Sequence, residues 1–386
     1  MVTTSRADYG IYLPVLRLIQ ADPTLHLHLL VTGTHLSPEF GLTSQAIQDD
    51  GFEIAEKIEM LVSSDTPEGI VKSMGLGLIG LSQAYSKKRP DILLVLGDRF
   101  EMHGAALAAL PFKIPVAHIH GGELTTGAID DSLRHSITKL SHLHFVTTDE
   151  YHQRVIQLGE EPWRVVTSGA PGLDNLNNLK LLTRPEIESL YHLKLAEVFL
   201  LVTYHPVTLE FEQTREQVEQ LLYSLRQVGL PIVFTGINAD TGGQIIRSLV
   251  HQFIDTYPQA QLVENLGTQG YFSLMNQATA MVGNSSSGII EAPSVGLPVV
   301  NIGTRQQGRV RSKDIIDVSY SSYEIVAGIK KAIAPGFRAR LAGVPNPYGN
   351  GQASDIIVRH VKNVSLDHRL ISKQFVDVPF PSAQVA

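Results

Sequence analysis

Carboxylates and an imidazole cluster after two consecutive apolar runs in the first half of the chain. Residues 97–101 read Gly-Asp-Arg-Phe-Glu, and residues 118–123 read His-Ile-His-Gly-Gly-Glu. Further on, Asp130 and Asp131 begin a segment of helical period. Crowded carboxylates raise one another's pKa, which is the arrangement that general acid and base chemistry needs near neutral pH. The candidate catalytic residues are Asp98, His120, Glu123, Asp130 and Asp131.

The same carboxylates also have ordinary structural interpretations. Asp98 could cap the helix that follows it, orient Arg99, or act as a base in a cleft, since Asp is a favoured residue at helix N-termini. Asp130 and Asp131 could simply cap a helix that internal ion pairs stabilise. The catalytic interpretation depends on the number of acidic groups that follow neighbouring strands, and no single group establishes it.

A metal site is the alternative use of the histidines in this region. The pairs His118/His120 and His142/His144 have a spacing that zinc or manganese ligands can adopt. However, the two pairs end different strands, and one member of such a pair often fills space between strand and helix. The chain also has no cysteine, which excludes thiolate metal sites, disulfides and cysteine nucleophiles. We therefore expect no metal.

A second set of polar residues, in the other half of the chain, suits a phosphate ligand. Residues 283–288 read Gly-Asn-Ser-Ser-Ser-Gly, end an apolar run and precede a helical segment. Hydroxyls and free N–H groups at a helix N-terminus form an anion site, although an ordinary serine turn looks the same in sequence. The next run is followed by Arg305 and Arg309, whose guanidinium groups suit bidentate phosphate contacts. Together with His205, this set predicts a clamp for a nucleotide diphosphate.

The elements that must position these residues are short apolar strands that alternate with helical segments. Continuous apolar runs indicate strands that are covered on both faces, and in such sheets ligands bind beyond the carboxyl ends of the strands. The runs are residues 27–32, 92–97, 116–119, 145–148, 165–168, 199–203, 232–235, 262–264, 281–283 and 299–302. The first strand is expected to be reduced to residues 1–4, which suggests either a misplaced start codon or an unusually short strand. The predicted fold is α/β, with two doubly wound Rossmann-like domains.

The composition agrees with two domains and excludes several kinds of partner. A chain of 386 residues with 43% hydrophobic residues supports an amino-terminal domain at residues 1–175 and a nucleotide-binding domain at 176–352. The formal charge of −7, without a basic block, argues against nucleic acid. No apolar run reaches the length of about 18 residues that spans a bilayer, and no signal region opens the chain. We therefore expect no membrane association and a cytoplasmic location.

In their order and number, these motifs resemble the hydrolysing UDP-N-acetylglucosamine 2-epimerases of sialic and legionaminic acid biosynthesis. The matching segments span nearly the whole chain and are residues 5–10, 33–36, 97–101, 118–123, 129–132, 204–208, 283–288 and 303–306. The resemblance implies a glycosyltransferase-B-like fold with the active site in the interdomain cleft. It also implies that a C-terminal helix and tail, residues 353–386, pack back towards the first domain. A homodimer or homotetramer without NAD, another cofactor or an essential metal is expected, and no G-x-G-x-x-G fingerprint is present.

The resemblance further implies an elimination mechanism on a nucleotide sugar. UDP leaves across C1–C2 to give a 2-acetamidoglucal, and water then adds to give N-acetylmannosamine. This chemistry needs a base for the C2 proton and hydrogen-bond donors on the departing diphosphate. Asp98, Asp130 and Asp131 would handle protons. The candidate nucleotide-binding residues are Arg6, Arg99, His205, Asn284, Ser285, Ser286, Glu291 and Arg305.

The sequence leaves the sugar and the details of proton transfer open. The substrate could be UDP-N-acetylglucosamine or a UDP- or GDP-linked 2,4-diacetamido-trideoxy sugar, and a non-hydrolysing epimerase would instead return the nucleotide sugar intact. A retaining glycosyltransferase would need an acceptor, and a catalytically dead sensor would gain nothing from clustered carboxylates. Several family members carry Glu where this chain has His120, so the group for the second proton transfer stays open.

Overall fold

The computed structural model describes residues 1–38, 41–62, 66–126, 129–236 and 242–377. These residues divide into two compact units. The first unit comprises Met1–Glu123, Ser132–Pro171 and the chain from Gln352 onwards, and the second comprises Leu124–Asp131 and Gly172–Gly351. The short segment Leu124–Asp131 therefore belongs to the second unit, although the sequence places it within the first domain.

Parallel strands form the centre of each unit. In the first unit they are β1 (Val2–Thr3), β2 (Leu29–Thr32), β3 (Ile54–Ile58), β4 (Leu93–Leu96), β5 (Val116–Ile119), β6 (Leu143–Val146) and β7 (Val165–Thr167). In the second unit they are β8 (Leu200–Thr203), β9 (Ile232–Thr235), β10 (Ala260–Val263), β11 (Ala280–Gly283), β12 (Val299–Ile302) and β13 (Ile315–Val318). All of these strands pair in parallel.

The order of the strands is the doubly wound one in both units. In the second unit it is β10-β9-β8-β11-β12-β13. In the first unit β1-β2-β3 and β4-β5-β6-β7 form two hydrogen-bonded groups, and β1 lies beside β4. Each chain path thus starts at the middle of the sheet and reverses direction there, which is where ligands bind in such folds. The predicted α/β class with Rossmann-like domains is confirmed.

Helices connect the strands, as parallel pairing requires. They are α1 (Arg6–Ala21), α2 (Ser44–Asp49), α3 (Pro67–Lys87), α4 (Phe100–Ala109), α5 (Asp130–Leu140), α6 (Asp149–Gln157), α7 (Asp174–Asn178), α8 (Arg184–Tyr191), α9 (Thr214–Val228), α10 (Gly243–Thr256), α11 (Gly267–Gln277), α12 (Ser286–Ile290), α13 (Ser322–Ala332), α14 (Ala353–Asn363) and α15 (His368–Ile371). Side-chain oxygens of Ser5, Thr66 and Thr148 cap α1, α3 and α6. Within the described ranges, no helix combines the length and apolarity needed to cross a membrane.

The strands of the second unit are apolar runs because both faces of their sheet are buried. Leu200 and Val202 of β8 pack in one hydrophobic cluster with residues of α9, α10 and α13. Leu201, which points the other way, packs in a second cluster with residues of α8 and α11. Both faces of the sheet are therefore covered, and the first three positions of β8 are apolar.

Two strands lie outside the predicted runs, β3 and β13. Both are at the edge of their sheets and are partly exposed, so their sequences carry charged residues such as Glu56, Lys57 and Asp317. Polar residues on an edge strand interrupt the apolar run by which a central strand is found. Two other strands begin two residues earlier than predicted, since β6 and β10 begin at Leu143 and Ala260.

The C-terminal segment belongs to the first unit. Helix α14 packs against α1, and Ile357 and Val358 lie in the first unit's hydrophobic core. The buried guanidinium of Arg164 donates hydrogen bonds to the carbonyl oxygens of Leu370, at 2.8 Å, and Arg369, at 2.7 Å. These bonds attach the chain beyond α14 to the strand β7 region, because a buried guanidinium must place its donors on acceptors.

Candidate active site

Asp98 lies at the carboxyl end of β4 and forms an ion pair with Arg134 of α5. Arg134 is only 2% exposed, whereas the Asp98 side chain remains 22% exposed. The capping interpretation of Asp98 is wrong, because α4 begins at Phe100 and its N-cap residue is Arg99. Arg99 pairs with the buried Glu101 at 3.2 Å. The geometry therefore leaves Asp98 as an oriented, partly accessible carboxylate.

His120 and Glu123 form a buried dyad just after β5. The His120 Nδ1 atom is 2.6 Å from Glu123 Oε1, and the Thr147 hydroxyl donates to the same oxygen at 3.0 Å. A carboxylate at Nδ1 keeps a proton on that nitrogen, so Nε2 is the ring atom that can exchange a proton. Among the described residues, this Nε2 is buried without a hydrogen-bond partner. Such a dyad is equipped for proton transfer.

The backbone around this dyad is unusual. His120 has a φ of +66°, a left-handed conformation that is uncommon outside glycine. Gly122 has a φ of +76°, and a Cβ there would lie 2.7 Å from the Tyr151 carbonyl oxygen. The Gly pair of the motif thus lets the loop turn back so tightly that Glu123 reaches the ring of His120.

The remaining histidines of this region are hydrogen-bonded inside the first unit. His118 Nε2 is 2.7 Å from the Gly97 carbonyl oxygen, and burial lowers the pKa of His118 to about 3. His144 Nε2 is 3.0 Å from a carboxylate oxygen of Glu160. Among the side chains that the structure describes, no group of three or more His, Asp or Glu is placed to hold a metal ion.

Asp130 and Asp131 occupy the first turn of α5. Asp131 accepts a hydrogen bond from the backbone N–H of Thr125 at 2.7 Å. Arg309 contacts the same segment, because its guanidinium donates to Leu124 O at 3.1 Å and to Thr125 Oγ1 at 3.3 Å. Arg309, expected to offer its guanidinium to phosphate, is therefore a buried contact within the second unit.

In the second unit, Asn284 ties together the loops after β8 and β11. It follows Gly283, whose φ is +141° and where a Cβ would lie only 1.9 Å from Thr203 O. Asn284 Oδ1 accepts from His205 N at 2.7 Å, and Nδ2 donates to His205 O at 2.8 Å. Both ends of this fully buried amide are engaged with backbone, so Asn284 positions His205.

Arg305 and His205 both contact Asn284. Arg305 Nη1 donates to the Asn284 carbonyl oxygen at 3.2 Å. Burial, and secondarily the charge of Arg305, lowers the pKa of His205 to about 3. His205 is therefore neutral at physiological pH and can act on a phosphate only as a neutral hydrogen-bond donor.

In the serine loop, residues 283–288, the hydroxyl groups contribute more to an anion site than the helix dipole does. Ser285 is the N-cap of α12 and accepts from Ser287 N at 3.4 Å, but α12 has only five residues. A single turn aligns few peptide dipoles, so the expected helix N-terminus is a minor contributor to an anion site. Ser286 is partly exposed, and the buried Glu291 follows the helix directly. Arg6, exposed at the start of α1, lies just after β1 in the first unit.

Two side chains near these loops were missed by sequence reasoning. Tyr271 of α11 places its hydroxyl 2.6 Å from Ser287 Oγ. Glu210 accepts hydrogen bonds from Thr304 Oγ1 at 2.6 Å and from Tyr320 OH at 2.8 Å, which fixes the loop before Arg305. Neither lies in a recognisable motif, because a tyrosine within a helix and a glutamate after a strand are common in any α/β protein.

Two doubly wound parallel sheets, with polar side chains at their carboxyl ends, give the chain a glycosyltransferase-B-like fold. The chain belongs to the UDP-N-acetylglucosamine 2-epimerase family, whose family model matches residues 17–362. It is thus a member of the hydrolysing UDP-sugar 2-epimerase group, and the predicted family is confirmed.

Three known proteins illustrate the similarity. A GDP/UDP-N,N'-diacetylbacillosamine 2-epimerase (hydrolyzing) from Campylobacter jejuni is 40% identical over 98% of this chain and 98% of its own length. A UDP-N,N'-diacetylbacillosamine 2-epimerase (hydrolyzing) from Legionella pneumophila is 35% identical over 96% and 97%. The crystal structure of UDP-GlcNAc 2-epimerase from Neisseria meningitidis bound to UDP-GlcNAc has a TM-score of 0.81 at 20% identity, covering 94% of this chain and 99% of that one.

Proposed function

We propose that this protein hydrolyses and epimerises a nucleoside-diphosphate-linked 2,4-diacetamido-trideoxy sugar at C2. The products are the free 2-epimer and UDP or GDP. The names of the Campylobacter and Legionella relatives, at 40% and 35% identity over nearly the full chain, support this sugar. The observation that carries the reaction type is the His120–Glu123 dyad, whose Nε2 is buried and unpartnered among the described residues.

Inversion at C2 explains why two separate proton-transferring groups are needed. One group removes the C2 proton while the C1–O bond breaks, and the C–H electron pair becomes the C1=C2 double bond of a glycal. Water then adds its hydroxyl to C1, and a proton returns to C2 on the opposite face. We assign the first group to Asp98 and the second to His120, because the two residues follow different strands, β4 and β5. In this assignment His120 Nε2 first takes up a proton from solvent, gives it to C2, and regains a proton from the water that attacks C1.

The second unit supplies the donors for the departing diphosphate. The bond pair of C1–O leaves with the nucleotide, so negative charge grows on the phosphate oxygens during elimination. Arg305, Ser285 and Ser286 suit that charge, and neutral His205 adds a donor. We propose further that Glu291 binds the ribose hydroxyls. Arg6 and Arg99 of the first unit would contact the nucleotide, and Asp130 and Asp131 would assist proton handling.

UDP-N-acetylglucosamine, with N-acetylmannosamine as product, is the second candidate substrate. The description of the matching family names that nucleotide sugar. The two candidate sugars differ only at C4 and C6. The reaction at C1 and C2 and the contacts to the diphosphate are therefore the same for both. The roles proposed for Asp98, His120 and Arg305 therefore apply to both.

The test is incubation with each sugar nucleotide in D₂O, with excess EDTA present, followed by ³¹P and ¹H NMR. Release of UDP or GDP together with a 2-epimer that carries deuterium at C2 supports the proposal. An intact, epimerised nucleotide sugar would identify a non-hydrolysing epimerase. Nucleotide release without deuterium at C2 would contradict the elimination mechanism, and loss of turnover in EDTA would contradict a metal-free reaction.

A further inference from the structure

A chain of side-chain hydroxyls runs behind the serine loop of the second unit. The Tyr271 hydroxyl is 2.6 Å from Ser287 Oγ, and Ser287 Oγ is 2.8 Å from Ser285 Oγ. The hydroxyls of Thr203 and Thr235, at the ends of β8 and β9, lie 2.8 Å apart. The chain of Tyr271, Ser287 and Ser285 therefore connects α11 to the loop after β11.

The acidity of these hydroxyls determines the direction in which they donate hydrogen bonds along the chain. Each hydroxyl has a single proton to donate and two lone pairs to accept with. A phenol is more acidic than an alkyl hydroxyl, so Tyr271 is the better donor to Ser287. Ser287 then donates its own proton to Ser285, whose oxygen also accepts from Ser287 N at 3.4 Å. With its oxygen filled in this way, Ser285 has its proton left for an acceptor outside the chain.

If the hydroxyls donated in the opposite order, Ser285 at the end of the chain would repel an anion. If Ser285 donated to Ser287 and Ser287 donated to Tyr271, Ser285 would present only lone pairs. Lone pairs facing phosphate oxygens are repulsive, whereas an outward proton is attractive. Burial raises the pKa of Tyr271 to about 12, so the phenol keeps its proton at every working pH.

We propose that Tyr271 is a positioning residue for the diphosphate, acting through Ser287 to present the Ser285 proton to a phosphate oxygen. This inference rests on the proposed function, which places Ser285 on the diphosphate. Because hydrogen bonds in a chain strengthen one another, the effect of Tyr271 exists only while Ser285 has a hydroxyl.

The test measures UDP and GDP affinity by calorimetry in the full chain and its variants. Tyr271→Phe keeps the ring and removes the hydroxyl, and we expect it to weaken binding about fivefold to tenfold. In a Ser285→Ala background, the same Tyr271→Phe change should leave the affinity unaltered. Tyr257→Phe is the matched control, since its hydroxyl donates to the Leu230 carbonyl oxygen at 3.1 Å, away from the serine loop, and it should change nothing.

Each alternative outcome has a distinct meaning. Unaltered affinity in Tyr271→Phe overturns the inference. An equal loss in the presence and absence of the Ser285 hydroxyl also overturns it, because that result identifies a packing role. If Tyr271→Phe folds poorly, Ser287→Ala must show the same dependence on Ser285. Failure of the wild-type chain to bind either nucleotide overturns the proposed function as well, whereas wild-type binding with an insensitive Tyr271→Phe overturns this inference alone.

Discussion

The Nδ1 atom of His120 lies 2.6 Å from Oε1 of Glu123, in a loop where His120 holds a φ of +66°. A left-handed conformation at a non-glycine residue costs on the order of 1–2 kcal/mol. Glycine would avoid that strain but would remove the imidazole. The strain is therefore coupled to the placement of a side chain, which is typical of functional sites.

Replacing Glu123 by Gln should lower kcat about 100-fold while UDP affinity stays unchanged. The amide cannot hold the Nδ1 proton as an anion does, so the ring loses its fixed tautomer and orientation. Steady-state kinetics and calorimetry with UDP measure the two quantities. Glu150→Gln, at an exposed carboxylate paired with Arg154, serves as the control and should leave both unchanged. Full turnover in Glu123→Gln would remove the dyad from the mechanism.

Asp98→Asn should lower kcat by about 1,000-fold or more and retain both fold and UDP binding. The amide oxygen can still accept from Arg134, so the loop keeps its shape, but the base is lost. Deuterium incorporation at C2 should fall together with nucleotide release. If Asp98→Asn and Asp131→Asn both kept full turnover, the assignment of acidic catalysis would be abandoned.

Asn284→Ala should destabilise the protein by about 2–4 kcal/mol. The change leaves the buried N–H and C=O groups of His205 without their partners, and each such group costs about 1–3 kcal/mol. Chemical denaturation measures the loss, and weaker UDP binding should accompany it because His205 is no longer held by the amide. Asn363→Ala, whose exposed amide donates to Arg359 O at 2.8 Å, should stay within about 0.5 kcal/mol. An unchanged midpoint for Asn284→Ala would show that the link between the two loops is not needed.

Asp314→Asn should stabilise the protein near neutral pH and lose that advantage in acid. Asp314 is only 2% exposed, its oxygens have no well-formed hydrogen bond among the described residues, and burial raises its pKa to about 6. The Ser312 hydroxyl only partly offsets the burial. Because the folded-state pKa exceeds the unfolded value of 3.8, the ionised carboxyl destabilises the fold above about pH 6.

The gain from Asp314→Asn should be on the order of 2 kcal/mol near pH 7.5. It should shrink as pH falls through the folded pKa of about 6 and vanish near 3.8, where Asp314 is protonated in both states. Denaturation curves at a series of pH values measure this trend. The exposed Asp91→Asn should show no comparable gain. A gain that is constant with pH would rule out ionisation as its cause.

The sequence by itself was enough to identify the family, the central strands and the principal polar residues that follow those strands. Central strands such as β5, β9 and β12 were predicted with their observed bounds, because strands buried on both faces are continuous apolar runs. Asp98, His120 and Glu123 were found by their positions after such runs. The edge strands β3 and β13 were not predicted, because their exposure permits charged residues that interrupt an apolar run.

Only the tertiary structure decided which partner each of these groups has. Arg134 meets Asp98 across 36 residues of chain, and the amide of Asn284 meets the backbone of His205 across 79. Tyr271 reaches Ser287 from a different helix, and Arg309 turns to the segment at Leu124. The physical reason is that local sequence sets strand and helix, whereas the order of strands in the sheet sets which loops are neighbours and therefore which donors and acceptors can pair.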